Sequence, residues 1–178
     1  MRDVVFDQNG GGEGIPTLNS LPIEEYENLR TADLGMLPVS GRQLDITASF
    51  QLPTDDANIV GIKVFESDDG NTFTLISIEA SSEKDYYSLK IDTSKSGFNV
   101  PNKNNSFPVS EMQFYAEEAT EATVDLRVVV DRSLVEAFAM GGRAVVTSTV
   151  YANAEHSKAS IVGDTNDSNA WEMGCGWL

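Results

Sequence analysis

The stretch VDRSLVEAFAMGGR at Val130–Arg143, followed by AVVTSTVY at Ala144–Tyr151, decides the fold of this chain. An apolar run ends in a short polar turn at Asp131-Arg132-Ser133, and a second apolar run, partly alternating, follows it. A Gly-Gly-Arg turn then leads into the third run. Apolar runs separated by tight turns of polar residues and glycine are typical of antiparallel hairpins. The stretch therefore predicts three consecutive antiparallel strands with charged residues held at the turns.

The same kind of pattern continues over most of the chain. From about Val39 the apolar residues recur at every second position, and the run 44–50 alternates as a half-buried strand should. Nine further runs read as strands: 61–66, 73–79, 86–92, 111–116, 123–130, 134–139, 144–151, 157–162 and 169–173. Turn-forming residues separate them, among them Asp68-Asp69-Gly70-Asn71. Short strands at this spacing, with almost no helix, predict an all-β sandwich or barrel.

The first 20 residues do not share this pattern. They contain the glycine-rich run 8–14 and no apolar periodicity, so residues 1–20 are predicted to be a flexible tail or linker. Residues 21–178 are predicted to form one domain. Ser20 is expected to cap a short helix that has Pro22 in its first turn and acidic residues near its positive end.

Composition excludes several functional classes. The chain of 178 residues carries 28 acidic and 12 basic side chains, for a net charge of −16. Such a charge repels phosphate backbones and anionic lipids, which argues against nucleic-acid and membrane partners. Cys175 has no second cysteine to pair with, and Cys175 with His156, the one histidine, cannot build a zinc site. No apolar run is long enough to span a membrane, and the first residues do not read as a signal peptide.

The stretch around Asp131-Arg132-Ser133 through Arg143 closely resembles the signature of the C-terminal β-sandwich of glycoside hydrolase family 32, the invertase, inulinase and levanase group. Leu21–Arg30 resembles the segment that leads from the catalytic propeller of these enzymes into the sandwich. Val39–Ile46 and Asn169–Met173 are similar to the first and the closing sandwich strand. The resemblance covers roughly residues 21–173. It implies a two-sheet antiparallel β-sandwich of the jelly-roll or concanavalin-like type.

The resemblance also bears on catalysis. Family 32 enzymes use a nucleophilic aspartate, a stabilising aspartate and an acid/base glutamate, all carried by motifs of a five-bladed propeller. None of these motifs occurs in this sequence. Retaining glycosidases need two carboxyl groups about 5–5.5 Å apart across the scissile bond. We therefore expect no catalytic residue and no cofactor or metal in this chain.

Candidate binding residues come from the signature. Family 32 sandwiches are similar to the fructan-binding modules of carbohydrate-binding module family 66, which implies a sugar grip made of acidic and basic side chains. Asp131, Arg132, Glu136 and Arg143 are the candidates. The alternative for Asp131 is a structural one, in which its side chain caps backbone N–H groups of the turn. The alternative for Glu136 is an ion pair inside the sandwich, with Arg143 or Arg132 as the partner.

Other candidates are weaker. Trp177 is a candidate sugar-stacking residue, whereas Trp171 is expected in the core. The pairs Asp55-Asp56 and Asp68-Asp69 do not show a full calcium-ligand spacing, so solvated turns are expected. Asn104 and Asn166 begin Asn-x-Ser acceptors that would be glycosylated only in a eukaryotic secretory route.

The sequence thus favours a non-catalytic C-terminal module that stabilises a catalytic propeller, binds fructan or sucrose-like sugars, or does both. Two alternatives stay open. The chain is a fragment or subunit of a β-fructosidase that is active only with a propeller partner, or it is a free-standing, lectin-like protein. A module that packs on a propeller is expected to expose an apolar sheet face when it stands alone. Self-association into a homo-oligomer would bury that face. The resemblance implies an extracellular, secretory or vacuolar location.

Overall fold

Fourteen β-strands and one short 3-10 helix form the regular structure of the residues that the computed structural model describes, which are 2–8, 16–54, 58–81, 86–97, 109–115 and 123–174. The helix spans Glu24–Leu29. The strands are β1 (Arg2–Asp7), β2 (Thr17–Pro22), β3 (Arg30–Gly35), β4 (Val39–Ser40), β5 (Gln43–Gln51), β6 (Ile59–Glu66), β7 (Thr74–Ala80), β8 (Tyr86–Asp92), β9 (Val109–Tyr115), β10 (Thr123–Asp131), β11 (Leu134–Ala139), β12 (Ala144–Thr149), β13 (Lys158–Val162) and β14 (Thr165–Met173).

Twelve of these strands build two six-stranded sheets that pack face to face. The first sheet has the order β12-β11-β10-β5-β14-β3, and the second has the order β4-β13-β6-β7-β8-β9. All of the pairings are antiparallel. The predicted two-sheet antiparallel sandwich is confirmed.

The core lies between the inner faces of the two sheets. The alternating apolar residues that the sequence pattern singled out on β5 are buried there, with Phe50 and Ile46 both 0% exposed. The other strands of both sheets contribute in the same way, with side chains that include Ile62, Ile76, Leu89, Ile91, Leu126, Val128, Val135 and Ala137. Burial of this continuous apolar layer is the main stabilising contribution to the fold.

The stretch from Val130 to Tyr151 forms the predicted meander. Strand β10 pairs with β11, and β11 pairs with β12, with Val129 opposite Glu136 and Glu136 opposite Thr147. The two connecting turns lie at Arg132-Ser133 and at residues 140–143. We call Val130–Arg143 the signature segment from here on.

The N-terminal residues differ from the expectation of a flexible tail. Strands β1 and β2 pair antiparallel over their full length and form a separate two-stranded sheet, which we call the N-terminal hairpin. Ser20 lies within β2 and does not cap a helix. The 3-10 helix begins after Ile23, and no side chain caps its start. Strand pairing is made by backbone hydrogen bonds and needs no strong periodicity of the side chains. The side-chain pattern therefore did not indicate β1 and β2.

No helix in the described part of the chain has the length and apolar character that a membrane crossing requires.

Candidate functional site

Glu136 lies on the outer face of the first sheet. Its neighbours on β11, Val135 and Ala137, belong to the core, so Glu136 points away from the core. The Thr147 hydroxyl donates a hydrogen bond to its carboxylate at 3.2 Å, and the Arg2 guanidinium forms an ion pair with the same oxygen. The expected pairing with Arg143 or Arg132 inside the sandwich is therefore wrong. Strand β1 brings Arg2 over the outer face, which the local sequence pattern does not indicate.

Asp131 and Arg132 lie at the turn between β10 and β11, as predicted. The Asp131 carboxylate accepts a hydrogen bond from the side-chain amide of Gln43 at 3.0 Å. Arg132 has a φ of 55°, in the left-handed region, and its backbone N–H donates to the carbonyl oxygen of Arg42 at 2.8 Å. These two bonds tie the turn to the start of β5.

Arg143 pairs with a residue of the N-terminal hairpin. Its Nε lies 3.3 Å from the carboxylate of Asp7. Arg2 and Asp7 are the first and last residues of β1. Glu136 and Arg143 do not contact one common point on the sheet face; instead, each holds one end of the same strand.

The Gly141-Gly142 turn contacts the second strand of the hairpin. The Ser20 backbone N–H donates to the Gly142 carbonyl oxygen at 2.9 Å. Gly142 has a φ of 83°, and a Cβ there would lie 2.5 Å from the Ser20 carbonyl oxygen, closer than a Cβ can approach. Glycine is therefore required for β2 to lie against the turn. The signature segment is the surface on which the N-terminal hairpin docks.

The sequence pattern missed the most strongly engaged carboxylate of this face. Asp45 alternates with core residues of β5 and reads as a solvent-facing position, yet it is 0% exposed. Arg30 donates to its Oδ2 from Nε at 2.8 Å, and its Nη2 lies 2.7 Å from the same oxygen in an ion pair. Arg127 donates from Nε to Oδ1 at 2.9 Å and from Nη2 to Oδ2 at 2.7 Å. Three charge-assisted hydrogen bonds and a further ion-pair contact compensate the desolvation of this carboxylate.

Two further groups complete the Asp45 cluster. Glu27, on the 3-10 helix, reaches Arg30 at 3.5 Å and Arg127 at 3.6 Å with its two carboxylate oxygens. The Arg30 guanidinium stacks 3.8 Å above the centroid of the Trp171 ring. Trp171 is partly exposed and lies on the outer face, outside the core in which it was expected. Asp45 therefore fixes the helix and the start of β3 to the middle of the first sheet.

Tyr26 lies among the acidic residues of the same face. Burial raises the pKa of its phenol above the ordinary value of 10.0, the charges of Glu136, Asp131 and Asp45 raise that pKa further, and Arg127 lowers it. The charges of two of the predicted binding residues, Asp131 and Glu136, thus act on one tyrosine. Trp177, the other aromatic candidate, lies outside the described residues.

A groove opens on the outer face beside the signature segment. It encloses about 370 Å³ between the first sheet and a wall made by Leu21 and the Gly141-Gly142 turn. Its floor carries side chains from four strands, namely Thr47, Ser49, Asp125, Arg127, Phe138 and Asp167. A second depression of about 220 Å³ adjoins it and shares Asp125 and Gly141. We call the two together the outer groove.

The remaining candidates are local turns or lie outside the described residues. Hydrogen bonds from the Ser67 hydroxyl and from the Asn71 backbone and side chain lower the pKa of Asp69 to about 2. Among the described residues, no group of three potential ligands that could hold a metal ion occurs. Asp55-Asp56, Asn104 and Cys175 lie outside those residues. The backbone of Asn166 belongs to β14.

We predict that Asp45→Asn lowers the free energy of unfolding by about 3–5 kcal/mol, because it leaves two partly buried guanidinium groups without their charge partner. Urea denaturation followed by circular dichroism measures the loss. The matched control is Glu27→Gln, because Glu27 bridges the same two arginines but its side chain is 54% exposed. That control is expected to cost less than about 1 kcal/mol. Equal effects of the two substitutions would contradict the assigned role of Asp45.

We also predict that Tyr26 titrates above pH 10 and that Glu136→Gln moves its pKa down towards 10, without removing the whole shift, because burial is its largest cause. Since the folded-state pKa is raised, the stability linked to the neutral phenol is present below pH about 10 and is lost as pH rises through the folded-state pKa. Tyrosinate absorbance measures the titration, and Tyr26→Phe identifies this group among the five tyrosines. A pKa that does not respond to Glu136→Gln would contradict the assigned influence of the Glu136 charge on Tyr26.

Comparison with solved structures shows the same fold in parts of several enzymes. The chain is similar to fructan 1-exohydrolase IIa from Cichorium intybus, with 20% identity and a TM-score of 0.79, over 97% of this chain and 40% of that one. It is similar to exo-inulinase from Aspergillus awamori, with 18% identity and a TM-score of 0.74, over 99% and 35% of the two chains. For sucrose-6-phosphate hydrolase from Lactobacillus gasseri the values are 20%, 0.70, 97% and 33%.

The chain spans about a third to two-fifths of the length of these enzymes. No curated protein matches its sequence. The family model described as "Glycosyl hydrolases family 32 C terminal" matches residues 19–172, which is most of the chain. The resemblance read from the signature segment is thus confirmed, and the chain belongs to glycoside hydrolase family 32 as a C-terminal β-sandwich domain.

Proposed function

We propose that this chain is a non-catalytic sandwich module that docks against a family 32 catalytic propeller and stabilises it. One observation carries the proposal, namely the apolar surface of the N-terminal hairpin. Val4, Val5, Phe6 and Leu18 are 63%, 54%, 65% and 60% exposed. Contiguous exposed apolar side chains on a soluble protein mark an interaction surface. A catalytic domain of the same enzyme is the partner that family membership supplies.

The two sides of the sandwich differ in a way that supports this orientation. The outer face of the second sheet carries paired polar groups, with Lys90 and Glu79 at 2.8 Å and Ser88 and Glu111 at 2.6 Å. The pKa of Lys90 is raised, mainly by its hydrogen bond to Glu79. The charges of Glu79 and Glu111 also raise this pKa, whereas burial opposes the shift. A face with these paired polar groups is compatible with exposure to solvent. The docking side is therefore that of the first sheet, where the N-terminal hairpin lies.

The sequence supports a role without catalysis. The three propeller motifs that carry the catalytic carboxylates of family 32 enzymes do not occur in it. On the outer face, Asp45 and Glu136 are held by arginines, and Asp131 is held by Gln43. If the chain is a fragment or subunit that is active only with a propeller partner, the catalytic residues belong to that partner. A free-standing lectin-like protein would need another role for the exposed hairpin.

The test joins this chain to the catalytic part of fructan 1-exohydrolase IIa from Cichorium intybus, cut before the region that this chain matches. We expect residues 2–178 of this chain to lengthen the thermal half-life of that catalytic part several-fold, because a docked partner stabilises the folded state that it binds. Residual fructan hydrolysis after heating measures the effect. The matched control is the same fusion with Asp45→Asn. A catalytic part that is equally durable without any sandwich would contradict the proposal.

A second candidate function is carbohydrate binding, and the outer groove favours it. Its volume lies within the range of small-molecule sites, about 300–1,000 Å³. Among the described residues, no hydrogen-bond partner engages the side chains of Thr47, Ser49 and Asp125. Hydroxyl and carboxylate groups that line a groove suit a fructan or a sucrose-like sugar.

Titration calorimetry against levan, inulin, fructose and sucrose tests this second function. We expect saturable binding that Asp125→Ala weakens about tenfold or more, since a hydrogen bond to a charged group contributes about 1.5–3 kcal/mol. Glu136→Ala is the matched control, because it removes a carboxylate of the same face that Arg2 already holds. Loss of binding in the Glu136 variant alone would place the sugar on the signature segment instead. No heat with any of the sugars would contradict carbohydrate binding.

A further inference from the structure

One row of residues crosses the floor of the outer groove from strand to strand. Ser49 on β5 stands directly opposite Asp125 on β10 and directly opposite Asp167 on β14. Residues that stand opposite each other on neighbouring strands place their side chains on the same face of the sheet. The core residues Ala48 and Leu126 adjoin this row, so its side chains point outward. All three residues of the row line the groove.

The two aspartates flank the serine hydroxyl at the spacing of the strands. Neighbouring strands lie about 4.7–4.9 Å apart, so the backbones of Asp125 and Asp167 are about 10 Å from each other. Both side chains are exposed. Within the described part of the chain, neither carboxylate has a hydrogen bond or an ion pair. Two free negative charges therefore face the groove, one on each side of Ser49.

The positive charges of the groove are already paired. Arg127, which shares the floor, donates to the Asp45 carboxylate from Nε and Nη2, and its Nη1 lies 3.6 Å from Glu27. Arg143, at the adjoining depression, pairs with Asp7 at 3.3 Å. No other lysine or arginine of the described residues lines either part of the groove. An anionic group in the groove would therefore meet free carboxylates and no free cation from these residues.

The free groups of the groove favour a ligand that donates hydrogen bonds from hydroxyls. An ionised carboxylate only accepts hydrogen bonds, whereas a sugar hydroxyl can donate one. A hydrogen bond from a hydroxyl to a carboxylate is short and about twice as strong as one between neutral groups. A phosphate group near pH 7 carries a charge of about −1.5 to −2, so the aspartates repel it. The hydroxyls of Thr47 and Ser49 can donate or accept, and Leu21, 37% exposed, offers apolar surface to the carbon atoms of a ring.

We infer that the outer groove is a site for an uncharged sugar, in which Asp125 and Asp167 accept hydrogen bonds from the sugar hydroxyls and exclude anionic sugars. The inference rests on the second candidate function, carbohydrate binding, and names the class of ligand and the two residues that determine it. The net charge of −16 acts in the same direction, because it repels anions over the whole surface.

Titration calorimetry with matched pairs of ligands tests the charge selectivity. Sucrose is compared with sucrose 6-phosphate, and inulin with carboxymethyl inulin, at one ionic strength, because salt screens the repulsion. We expect the neutral member of a pair to bind at least about tenfold more tightly than the anionic member. An anionic member that binds as tightly as its neutral counterpart would overturn the inference and leave carbohydrate binding standing. Absence of heat with all four ligands would contradict carbohydrate binding itself, and the inference with it.

Charge removal tests whether the two aspartates determine the selectivity. In Asp125→Asn and in Asp167→Asn, the ratio of the neutral to the anionic affinity is expected to fall about threefold, and in the double variant about tenfold. Each substitution removes one negative charge and keeps the shape of the side chain. The matched control is Asp68→Asn, which removes an exposed carboxylate from the turn between β6 and β7 of the second sheet and is expected to leave the ratio unchanged. An unchanged ratio in the double variant, or an equal fall in the control, would overturn the inference.

A divalent cation held between the two carboxylates is the rival occupant, because calcium prefers oxygen ligands. Among the described residues, no group of three potential metal ligands occurs, which favours direct contact between the carboxylates and the sugar. The titrations with sucrose and inulin are therefore repeated in EDTA and in excess calcium chloride, and equal affinities are expected. Sugar binding that EDTA abolishes and calcium restores would assign the carboxylates to a cation and overturn the inference.

Discussion

The buried carboxylate of Asp45 is the constraint on which the placement of the whole N-terminal segment depends. It is 0% exposed and accepts hydrogen bonds from Arg30, at the start of β3, and from Arg127, in the middle of the first sheet. A buried carboxylate without such partners would cost several kcal/mol, so the cluster holds only when the helix and β3 lie where they are. The residues that precede the helix are thereby directed over the outer face.

The Asp45 cluster fixes the segment that follows the N-terminal hairpin, and the signature segment binds the hairpin itself. Glu136 and Arg143 hold the two ends of β1, and the glycine at position 142 allows β2 to approach the turn. The residues that make the sequence recognisable therefore have a mechanical role, which is to bind the chain's own N-terminal hairpin. The outer groove, which Leu21 and the same turn enclose, is a product of that docking.

The sequence predicts the sandwich well and the outer face poorly. Period-two alternation identified strands such as 44–50 and 134–139, because burial of one face is a local property of each strand. The alternation places Asp45 on the outer face but does not indicate its burial, because its partner Arg127 lies 82 positions away and no local pattern indicates that contact. The pairing of Glu136 with Arg2 spans 134 positions and was missed for the same reason. The glycine-rich run between β1 and β2 led to the prediction of a flexible tail, whereas β1 and β2 form a hairpin through backbone hydrogen bonds.

Distance measurement between two spin labels tests the central claim most directly. The labels are placed on Val5→Cys in β1 and Thr149→Cys in β12, with the natural cysteine removed by Cys175→Ser. A hairpin held on the signature segment gives one narrow distance distribution, and Asp45→Asn, compared where its sandwich remains folded, broadens it. A broad distribution in the otherwise unchanged chain, typical of a flexible tail, would contradict the account.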